Sequence, residues 1–500
     1  MAQRLLRVLQ RRCGAASVAS WAASPALCDE ERLISAEELA SNDFTPVGEG
    51  GSGRLWVSYK SEVFDVTDFA QSHPGGLSNL QMAAGGAIDP FWKHWSVHVQ
   101  HPSAALPILR RYKIGRLAEE EEEDDEDDPF ADEPARPGLG AGLLTPLQEG
   151  TGTSARGPFE AECEVPGDSF LTPNDGFYVR NHAPVPPADM ASLAVGAVGG
   201  ASSTVSLEAL QAGTFGAVRT IAVTIQCSGN RLREADRAIG GVNGWTGRGS
   251  GYGLVSTATF TGVRLADVLE RSGALIGAKD DMHVECVGRD GYVNSIPLAR
   301  ARDATKDVLL AWAMNGADMP RDHGAPLRLV VPGVVGARQV KWLASVRLLP
   351  SRSDAPWQRT FYTMPDGAPI SHWPICSAVT RYDAAARNVR GFAYAGDGAG
   401  VASVDVSFDD GATWAPATLE APDVADAANW AWRLWRADVP PSAMDDGVLR
   451  CRVRATDGAG VSQPADPEAA LAHMPKGYLF NPHHRVALDA RTSSTCNHCN

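Results

Sequence analysis

The sequence predicts a multidomain α+β protein of 500 residues, long enough for several separate cores. Three observations support this prediction. Residues 32–116 combine short helical patterns with paired strands, 155–350 alternate short β runs with helices, and 351–490 read as alternating strands throughout. An acidic segment containing Pro and Gly, 117–154, separates the first region from the second.

The overall composition excludes several classes of protein. The chain is 44% hydrophobic and 21% charged, and it has no apolar run near the ~18 residues that a membrane span needs. Its net charge of −15 argues against a nucleic-acid partner and favours a basic partner protein. The nine cysteines are scattered and odd in number, unlike the framework of a disulfide-rich secreted protein.

Both ends of the chain carry short signals. Residues 1–28 contain four arginines and no acidic residue, which predicts an organelle transit peptide, mitochondrial rather than plastid. The tail at 491–500 contains Cys496 and Cys499, which could bind a metal or cycle between redox states. We favour the interpretation that this tail is frayed and binds no metal, because termini are usually disordered and no second pair of ligands lies nearby in sequence.

The first region contains a helix and a hairpin. Ser35 is an N-cap candidate for a helix with an acidic first turn. The segments at 55–59 and 62–66 read as paired strands around a turn. Ten successive acidic residues then fill 119–128, and such a run repels itself and cannot bury a core. We predict that 117–154 is an extended tether or solvated linker.

The second and third regions differ in their predicted secondary structure. A β-rich stretch at 218–226 ends at Cys227, a helix follows at 265–271, and a buried-strand run at 327–331 stops at a Pro-Gly pair. Alternating apolar residues before turns at 409–411 and 457–458 predict a β-sandwich beyond residue 351.

Two histidines in the first region are spaced as haem ligands. His73 opens a His-Pro-Gly-Gly block and His98 follows twenty-five residues later. The block, together with the preceding Val-Phe-Asp-Val-Thr, resembles the cytochrome b5 domain over about 85 residues. The resemblance implies haem b with His73 and His98 as axial ligands and Gln100 beside the haem. His94 and His101 compete with His98 on the same helical face, but the spacing favours His98. Two axial ligands restrict such a haem to electron transfer.

Cys227 is the second candidate centre. It ends a strand, precedes a Ser-Gly-Asn turn, and has Arg231 and Arg233 close behind. Positive neighbours lower the pKa of a thiol and favour the thiolate that binds metals. The motif by itself also fits a cysteine nucleophile.

Five longer segments extend this interpretation. Residues 177–182, 226–231, 295–300, 321–324 and 331–342 resemble the sulfite oxidase family of molybdenum enzymes, over most of 160–490. The resemblance implies a mixed α/β molybdopterin domain and a C-terminal immunoglobulin-like sandwich that forms a homodimer. The haem region comes first, as in animal-type members, whereas eukaryotic nitrate reductase places its haem domain after the molybdenum domain.

The resemblance also implies roles for individual residues. Cys227 would be the molybdenum ligand, with Tyr292 beside the metal oxo group and Arg180 facing an anionic substrate. Trp245 and Lys476 would contribute to the substrate pocket. The molybdopterin would be held by a set of charged, polar and backbone groups: Phe177, Tyr178, Val179, Arg180, Asn181, Cys227, Asp290, His323, Arg328, Gln339, Val340 and Lys341.

Two positions depart from the family pattern. Leu232 stands where a second arginine is expected, and Lys476 stands where a third anion-binding arginine is expected. Lysine keeps the charge but loses the bidentate fork, and leucine loses both. These departures predict a weaker sulfite site or a different small oxyanion substrate.

The resemblance implies oxidation of sulfite to sulfate at a molybdenum–molybdopterin centre. Electrons would pass singly through the haem to cytochrome c in the mitochondrial intermembrane space. Two alternatives stay open at this point. One is a nitrate reductase-like enzyme acting on another oxyanion, and the other is a haem electron carrier whose molybdenum domain is an inert scaffold.

Overall fold

The computed structural model describes most of the chain: residues 31–45, 51–70, 80, 83–89, 92, 101–118, 132–147, 159–197, 202–240, 251–355, 357–422, 424, 430–444 and 447–495. None of the helices within these ranges combines the length and the hydrophobicity that a membrane span requires. The predicted transit peptide and the Cys496–Cys499 pair lie outside the described residues.

The first domain is built on a five-stranded sheet of order β1-β5-β3-β2-β4. Its strands are β1 Leu33–Ile34, β2 Trp56–Tyr59, β3 Glu62–Asp65, β4 Gly86–Ala87 and β5 Lys113–Leu117. Its helices are α1 Ala36–Ala40, α2 Thr67–Ala70 and α3 His101–Leu109, followed by a 3₁₀ turn at Arg110–Tyr112.

Local sequence explains the start of this domain. The hydroxyl of Ser35 accepts the backbone N–H of Glu38 at 3.1 Å, so the predicted cap begins α1. Strands β2 and β3 pair antiparallel, which confirms the predicted hairpin. Leu55, Val57 and Phe64 are fully buried in the core.

The predicted tether is shorter than its composition suggested. Residues 132–147 contain α4 Pro137–Gly140 and β6 Leu144–Pro146. Arg136 Nε donates to Asp322 Oδ2 at 2.9 Å, and its guanidinium lies 4.0 Å from the centroid of the Phe159 ring. The prediction for 117–154 was therefore wrong over 132–147, because an ion pair and β6 pairing attach this part to the second domain.

The second domain contains three sheets. The first has order β6-β7-β8, the second has order β10-β9-β18-β13-β14, and the third has order β11-β12-β15-β16 with β17 also paired to β15. The strands are β7 Glu160–Cys163, β8 Val179–Arg180, β9 Ser192–Ala197, β10 Ser203–Ser206, β11 Arg219–Gln226, β12 Val255–Arg264, β13 His283–Gly288, β14 Val293–Pro297, β15 Leu309–Met314, β16 Ala317–Asp318, β17 Arg328–Val330 and β18 Leu343–Leu349. The helices are α5 Leu207–Gln211, α6 Leu232–Ala238, α7 Leu265–Arg271 and α8 Leu298–Arg302.

Short helical turns join these elements. Four of them are 3₁₀ turns, at Asn174–Gly176, Ala304–Lys306, Arg321–His323 and Gly336–Arg338. The fifth is a π-helix at Trp357–Phe361. The predicted strand ending before Cys227, the helix at 265–271 and the buried strand at 327–331 are all confirmed. Single-turn π-helices occur frequently at functional sites.

The C-terminal domain has two antiparallel sheets, of order β23-β24-β20-β19-β27 and β22-β21-β25-β26. The strands are β19 Cys376–Asp383, β20 Asn388–Tyr394, β21 Val401–Ser407, β22 Ala415–Pro416, β23 Thr418–Leu419, β24 Arg433–Asp438, β25 Val448–Asp457, β26 His484–Asp489 and β27 Ser494–Thr495. Phe392 of one sheet and Val404 and Val453 of the other belong to one buried cluster, consistent with the predicted sandwich.

This domain was predicted to be all-β, but it also contains helical elements. They are 3₁₀ turns at Gly396–Gly398 and Pro441–Met444 and the helix α9 Pro467–His473. The carboxylate of Asp466 accepts the backbone N–H of Ala469 and caps α9. Ala470 then packs in one buried cluster with Ala235 of α6. The alternation of strands on either side gave no signal for this helix.

The second and third domains pack on each other behind β11. Thr224 Oγ1 accepts the backbone N–H of Trp432 at 2.7 Å, and the indole of Trp373 donates to the carbonyl of Gln226 at 3.2 Å. Both anchors lie close before Cys227 in sequence. The C-terminal domain therefore fixes the strand end that presents this thiol.

Candidate active site

One pocket of the second domain brings most of the predicted site residues together. It encloses about 720 Å³ of empty space, part of it open to solvent. Ten of the predicted residues line it: Phe177, Tyr178, Arg180, Cys227, Asp290, Tyr292, His323, Arg328, Gln339 and Lys341.

Backbone hydrogen bonds of both its N–H and its carbonyl hold Cys227 in place. Its backbone N–H donates to the carbonyl of Leu254 at 3.0 Å, and its carbonyl accepts the N–H of Asn230 at 2.9 Å. The side-chain oxygen of Asn230 in turn accepts the N–H of Leu254 at 3.0 Å. The Ser-Gly-Asn turn thus positions the thiol at the end of β11 by backbone geometry.

The charge environment of Cys227 differs from the predicted one. Burial raises the pKa of the thiol, and the cation that opposes this effect most is Arg180. The buried side chain of Arg231 does not face the thiol. It donates to the carboxylate of Glu234 and to the carbonyl of Pro482. The prediction that Arg231 and Arg233 lower this pKa was wrong, because burial dominates it and the two arginines face Glu234 and Glu162 instead.

Arg180 reaches the pocket from β8. It lies directly opposite Glu160 of β7, and its Nη2 is 3.0 Å from Glu160 Oε1. Burial, the largest single effect, lowers the pKa of Arg180, but the acidic groups around it, with Glu160 first, together outweigh burial and raise it. Its buried Nε has no hydrogen-bond partner among the described residues, so this group has an unused donor.

Arg328 is the second pocket arginine with spare donor capacity. It is 4% exposed, and its Nη1 donates to the carbonyl of His323 at 2.8 Å. Its Nε has no partner among the described residues, and burial lowers its pKa to about 10. Gly324 at φ +113° permits this packing, because a Cβ there would lie 2.9 Å from Arg328 Cβ and 3.1 Å from Lys341 Cβ.

His323 is a neutral group of the pocket wall. Burial lowers its pKa to about 4, and its Nε2 lies 3.0 Å from the carbonyl of Asn174. Its ring packs edge-on against Phe177 at 5.2 Å, and Phe177 stacks on Tyr178 at 5.5 Å. These rings give one side of the pocket a flat aromatic surface.

Lys341 connects its own chain segment with two others at the pocket wall, those of Arg180–Asn181 and Asp322. Its Nζ donates to the side chain of Asn181, to the carbonyl of Arg180 at 3.1 Å and to the carbonyl of Asp322 at 2.9 Å. Burial lowers its pKa to about 7. Asn181 also donates to Asp322 at 2.9 Å, so it supports Lys341 from behind rather than lining the pocket.

Tyr292 belongs to a stack of aromatic rings. Its ring lies 5.8 Å from His182 and 5.0 Å from Trp357, and His182 stacks on Trp357 at 5.0 Å. Its hydroxyl donates to the carbonyl of Ala337 at 2.8 Å, and Asp290 Oδ1 accepts its backbone N–H at 3.2 Å. Burial raises the pKa of the Tyr292 hydroxyl, which keeps it protonated.

Other predicted residues lie elsewhere. Val179 and Val340 are buried in hydrophobic cores outside the lining. Lys476 is exposed in the turn after α9 and also lies outside the lining, so its contact with the substrate stays a prediction. The long turn 474–477 points its side chain to solvent. Three predicted haem-associated residues and one pocket residue lie outside the described ranges: His73, His98, Gln100 and Trp245.

Four functional candidates had no predicted role. His182, Trp357 and Tyr362 contribute rings to or beside the pocket, and Glu160 pairs with Arg180. His182 had a signal, because it ends the motif at 177–182. Glu160 had none, because only the pairing of β7 with β8 places it opposite Arg180.

The donor set fits a bound molybdopterin. The described residues contain no group of three or more His, Cys, Asp or Glu side chains that could hold a metal ion. The unpaired Nε groups of Arg180 and Arg328 match an anionic cofactor or substrate, because buried polar groups otherwise find partners.

Three family models match the chain in order. A cytochrome b5-like heme/steroid binding domain covers 35–118, an oxidoreductase molybdopterin binding domain covers 182–357, and a Mo-co oxidoreductase dimerisation domain covers 374–491. The first domain is thus a haem-binding domain of the b5 type, and the second binds molybdopterin. These matches confirm the two predicted cofactors.

Known proteins of similar length match as well. The chain is 38% identical to mitochondrial sulfite oxidase of Homo sapiens, covering 92% of this chain and 84% of that protein. It is 36% identical to sulfite oxidase of Gallus gallus, covering 86% and 96%. The sulfane dehydrogenase SoxCD of Paracoccus pantotrophus shares the fold, with a TM-score of 0.57 at 20% identity over 76% of this chain and 95% of that one. The chain belongs to the sulfite oxidase family.

Proposed function

We propose that this protein is a sulfite oxidase, which oxidises sulfite to sulfate and passes the electrons to cytochrome c. One observation carries the proposal: the thiol of Cys227 and the guanidinium of Arg180 line the same pocket. A thiolate is a ligand for molybdenum, and a guanidinium with an unused donor suits a small oxyanion.

Each proposed role follows from a contact. Cys227 would hold the metal, since backbone bonds fix its position at the end of β11. Arg328, Lys341 and the backbone around them would hold the molybdopterin, because they offer positive charge at the pocket wall. The proposal gives supporting roles in cofactor binding to Phe177, Tyr178, Val179, Asn181, Asp290, His323, Gln339 and Val340.

The bound molybdenum cofactor would supply the two-electron oxygen-atom transfer, and the haem would carry the electrons away singly. Arg180 offsets the substrate charge as a preorganised donor. Tyr292 offers a protonated hydroxyl, held by the Ala337 carbonyl, beside the reacting centre. The aromatic rings of His182 and Trp357 restrict where an anion can sit.

The haem side of the proposal rests on the b5-like domain. We infer that His73 and His98 are the axial ligands of haem b, with Gln100 beside the ring. The net charge of −15 favours a basic acceptor such as cytochrome c by electrostatic steering. The intermembrane space of mitochondria is the proposed location, and a homodimer through the C-terminal domain is the proposed assembly.

An anaerobic stopped-flow experiment tests the function. Sulfite is mixed with the molybdenum-loaded holoenzyme while the haem Soret and α bands are followed. We expect the haem to be reduced within seconds, because both centres are coupled in one chain. Dithionite serves as the control that the haem itself is reducible.

A second candidate function is supported by one feature of the pocket. Two positions where the family pattern has an arginine add no cation to the pocket, because Leu232 is buried at the start of α6 and Lys476 faces solvent. Within the described ranges, the arginines that line the pocket are Arg180 and Arg328. A pocket with fewer cations than the family pattern suits a less charged oxyanion such as nitrate. If dithionite but not sulfite reduces the haem, nitrate oxidation of the pre-reduced enzyme tests this alternative. No reaction with either anion would indicate a haem carrier with an inert molybdenum domain.

A further inference from the structure

We propose that Glu160 weakens oxyanion binding in the pocket by neutralising Arg180, and so promotes release of the sulfate product. The inference rests on the proposed function. It assigns a determinant of substrate and product affinity to a residue on a strand behind the pocket.

The geometry ties Glu160 to Arg180 specifically. The two residues are directly opposed on the antiparallel strands β7 and β8. Arg180 Nη2 lies 3.0 Å from Glu160 Oε1, and the Glu160 side chain is 10% exposed. Because the backbone register sets the pair, Arg180 meets this carboxylate whether or not an anion is bound.

The rest of the pocket offers little other positive charge. Among the described lining residues, the cationic side chains are Arg180, Arg328 and Lys341. Lys341 directs its ammonium group at Asn181 and at the carbonyls of Arg180 and Asp322. Neutralising Arg180 therefore removes a large part of the field that an anion would experience.

Product release gives this arrangement a chemical purpose. Sulfite and sulfate are both small oxyanions, so an uncompensated arginine would retain the product as it attracts the substrate. A carboxylate at 3.0 Å competes with either anion for the same guanidinium. The unpaired Nε of Arg180 leaves one donor for the bound anion, so binding is weakened rather than abolished.

The opposite role for Glu160 is purely structural. If the carboxylate only holds Arg180 in place, its removal would let the guanidinium move and would weaken anion binding. The two roles thus predict opposite signs for the same substitution. Affinity for sulfate separates them without any assumption about the rate of chemistry.

The decisive variant is Glu160→Gln, which keeps a hydrogen-bond acceptor but removes the charge. We expect the holoenzyme to bind sulfate about tenfold more tightly and its KM for sulfite to fall in parallel, since a unit charge near an arginine acts strongly in a buried site. Sulfate affinity is measured both as competitive inhibition and by titration calorimetry. Haem and molybdenum contents, together with circular dichroism, report whether the variant is folded and loaded.

Glu162→Gln is the matched control. Glu162 lies on the same strand and is half-buried, but its carboxylate accepts the backbone N–H of Gly253 at 3.2 Å and faces Arg233. We expect its sulfate affinity to change by less than about threefold, because Arg180 pairs with Glu160 and Glu162 faces a different arginine. Glu160→Asp provides a second test if Glu160→Gln fails to fold. The shorter side chain keeps the charge but loosens the ion pair, so sulfate affinity should rise by a smaller factor.

Unchanged or weaker sulfate binding in a folded Glu160 variant would overturn the inference. A failure of the proposed function looks different, because sulfite would then not reduce the haem of the wild-type enzyme. Sulfate calorimetry on wild type and variant would still report the effect of Glu160 in that case.

Discussion

Arg338 Nη1 donates to Asn294 Oδ1 at 2.9 Å, and this buried bond orients the tyrosine of the pocket. Asn294 Nδ2 donates to the carbonyl of Ala337 at 2.7 Å, the same carbonyl that accepts the hydroxyl of Tyr292. The Arg338 guanidinium also donates to four groups on the segment that carries the π-helix and its continuation: the carbonyls of Trp357, Tyr362 and Ile370, and Gln358 Oε1. Arg338 therefore links Tyr292 to the aromatic stack.

Arg338→Lys should destabilise the second domain. The guanidinium serves five acceptors, whereas an ammonium group has three donors, so at least two buried acceptors lose their partner. We expect the free energy of unfolding to fall by about 2–4 kcal/mol. Thermal unfolding followed by circular dichroism measures the change. Arg381→Lys, at a largely exposed site, is the control and should shift the midpoint little. Equal midpoints for both variants would contradict the role of Arg338.

Arg328→Met should impair retention of the molybdenum cofactor. Methionine keeps an unbranched side chain as far as the position of Nε but removes the guanidinium, whose Nε has no partner among the described residues. We expect the molybdenum content of the purified protein to fall at least several-fold, as measured by elemental analysis, while the haem content stays the same. Arg347→Met, in an exposed position, is the control. A normal molybdenum content in Arg328→Met would exclude this arginine as a cofactor anchor.

Cys227→Ser should uncouple the two redox centres. A serine hydroxyl replaces the proposed thiolate ligand, so sulfite should no longer reduce the haem, while dithionite still does. The anaerobic haem spectrum measures both reactions. Cys286→Ala removes a buried thiol from the core and should leave sulfite-dependent reduction intact. Retained sulfite reduction in Cys227→Ser would remove this residue from the proposed site.

His484 should make the C-terminal domain sensitive to acid. Its Nδ1 accepts the backbone N–H of Val379 at 3.0 Å, and burial lowers its pKa to about 4 from 6.5. The unfolded chain therefore binds an extra proton between about pH 6.5 and 4, and the free energy of unfolding falls as the pH falls through that window. The loss is roughly 3 kcal/mol at the acid end.

His484→Gln should flatten this acid dependence, because a glutamine oxygen can accept the same N–H without titrating. Unfolding midpoints measured from pH 7 to pH 4 give the comparison. His473→Gln, at an exposed position on α9, is the control. An equally steep decline in wild type and His484→Gln would show that other groups govern acid unfolding.

The local elements were predictable because short-range signals specify them. Ser35 caps α1 as predicted, and the strand before Cys227 ends where the Ser-Gly-Asn turn begins. The segment 132–147 was missed because its attachment depends on Arg136 meeting Asp322, which lies 186 residues away in the chain. Composition indicates flexibility, but it carries no information on such a distant partner.

The sequence alone determined which chemistry the protein can hold: the family motifs, the thiol at Cys227, and the order of haem and molybdenum domains. Tertiary structure decided which charged groups meet. It placed Glu160 opposite Arg180, brought the guanidinium of Arg231 to the carbonyl of Pro482, and left Lys476 facing solvent. The physical reason is that motifs fix backbone conformation over a few residues, whereas electrostatic partners are set by strand register and packing between distant segments.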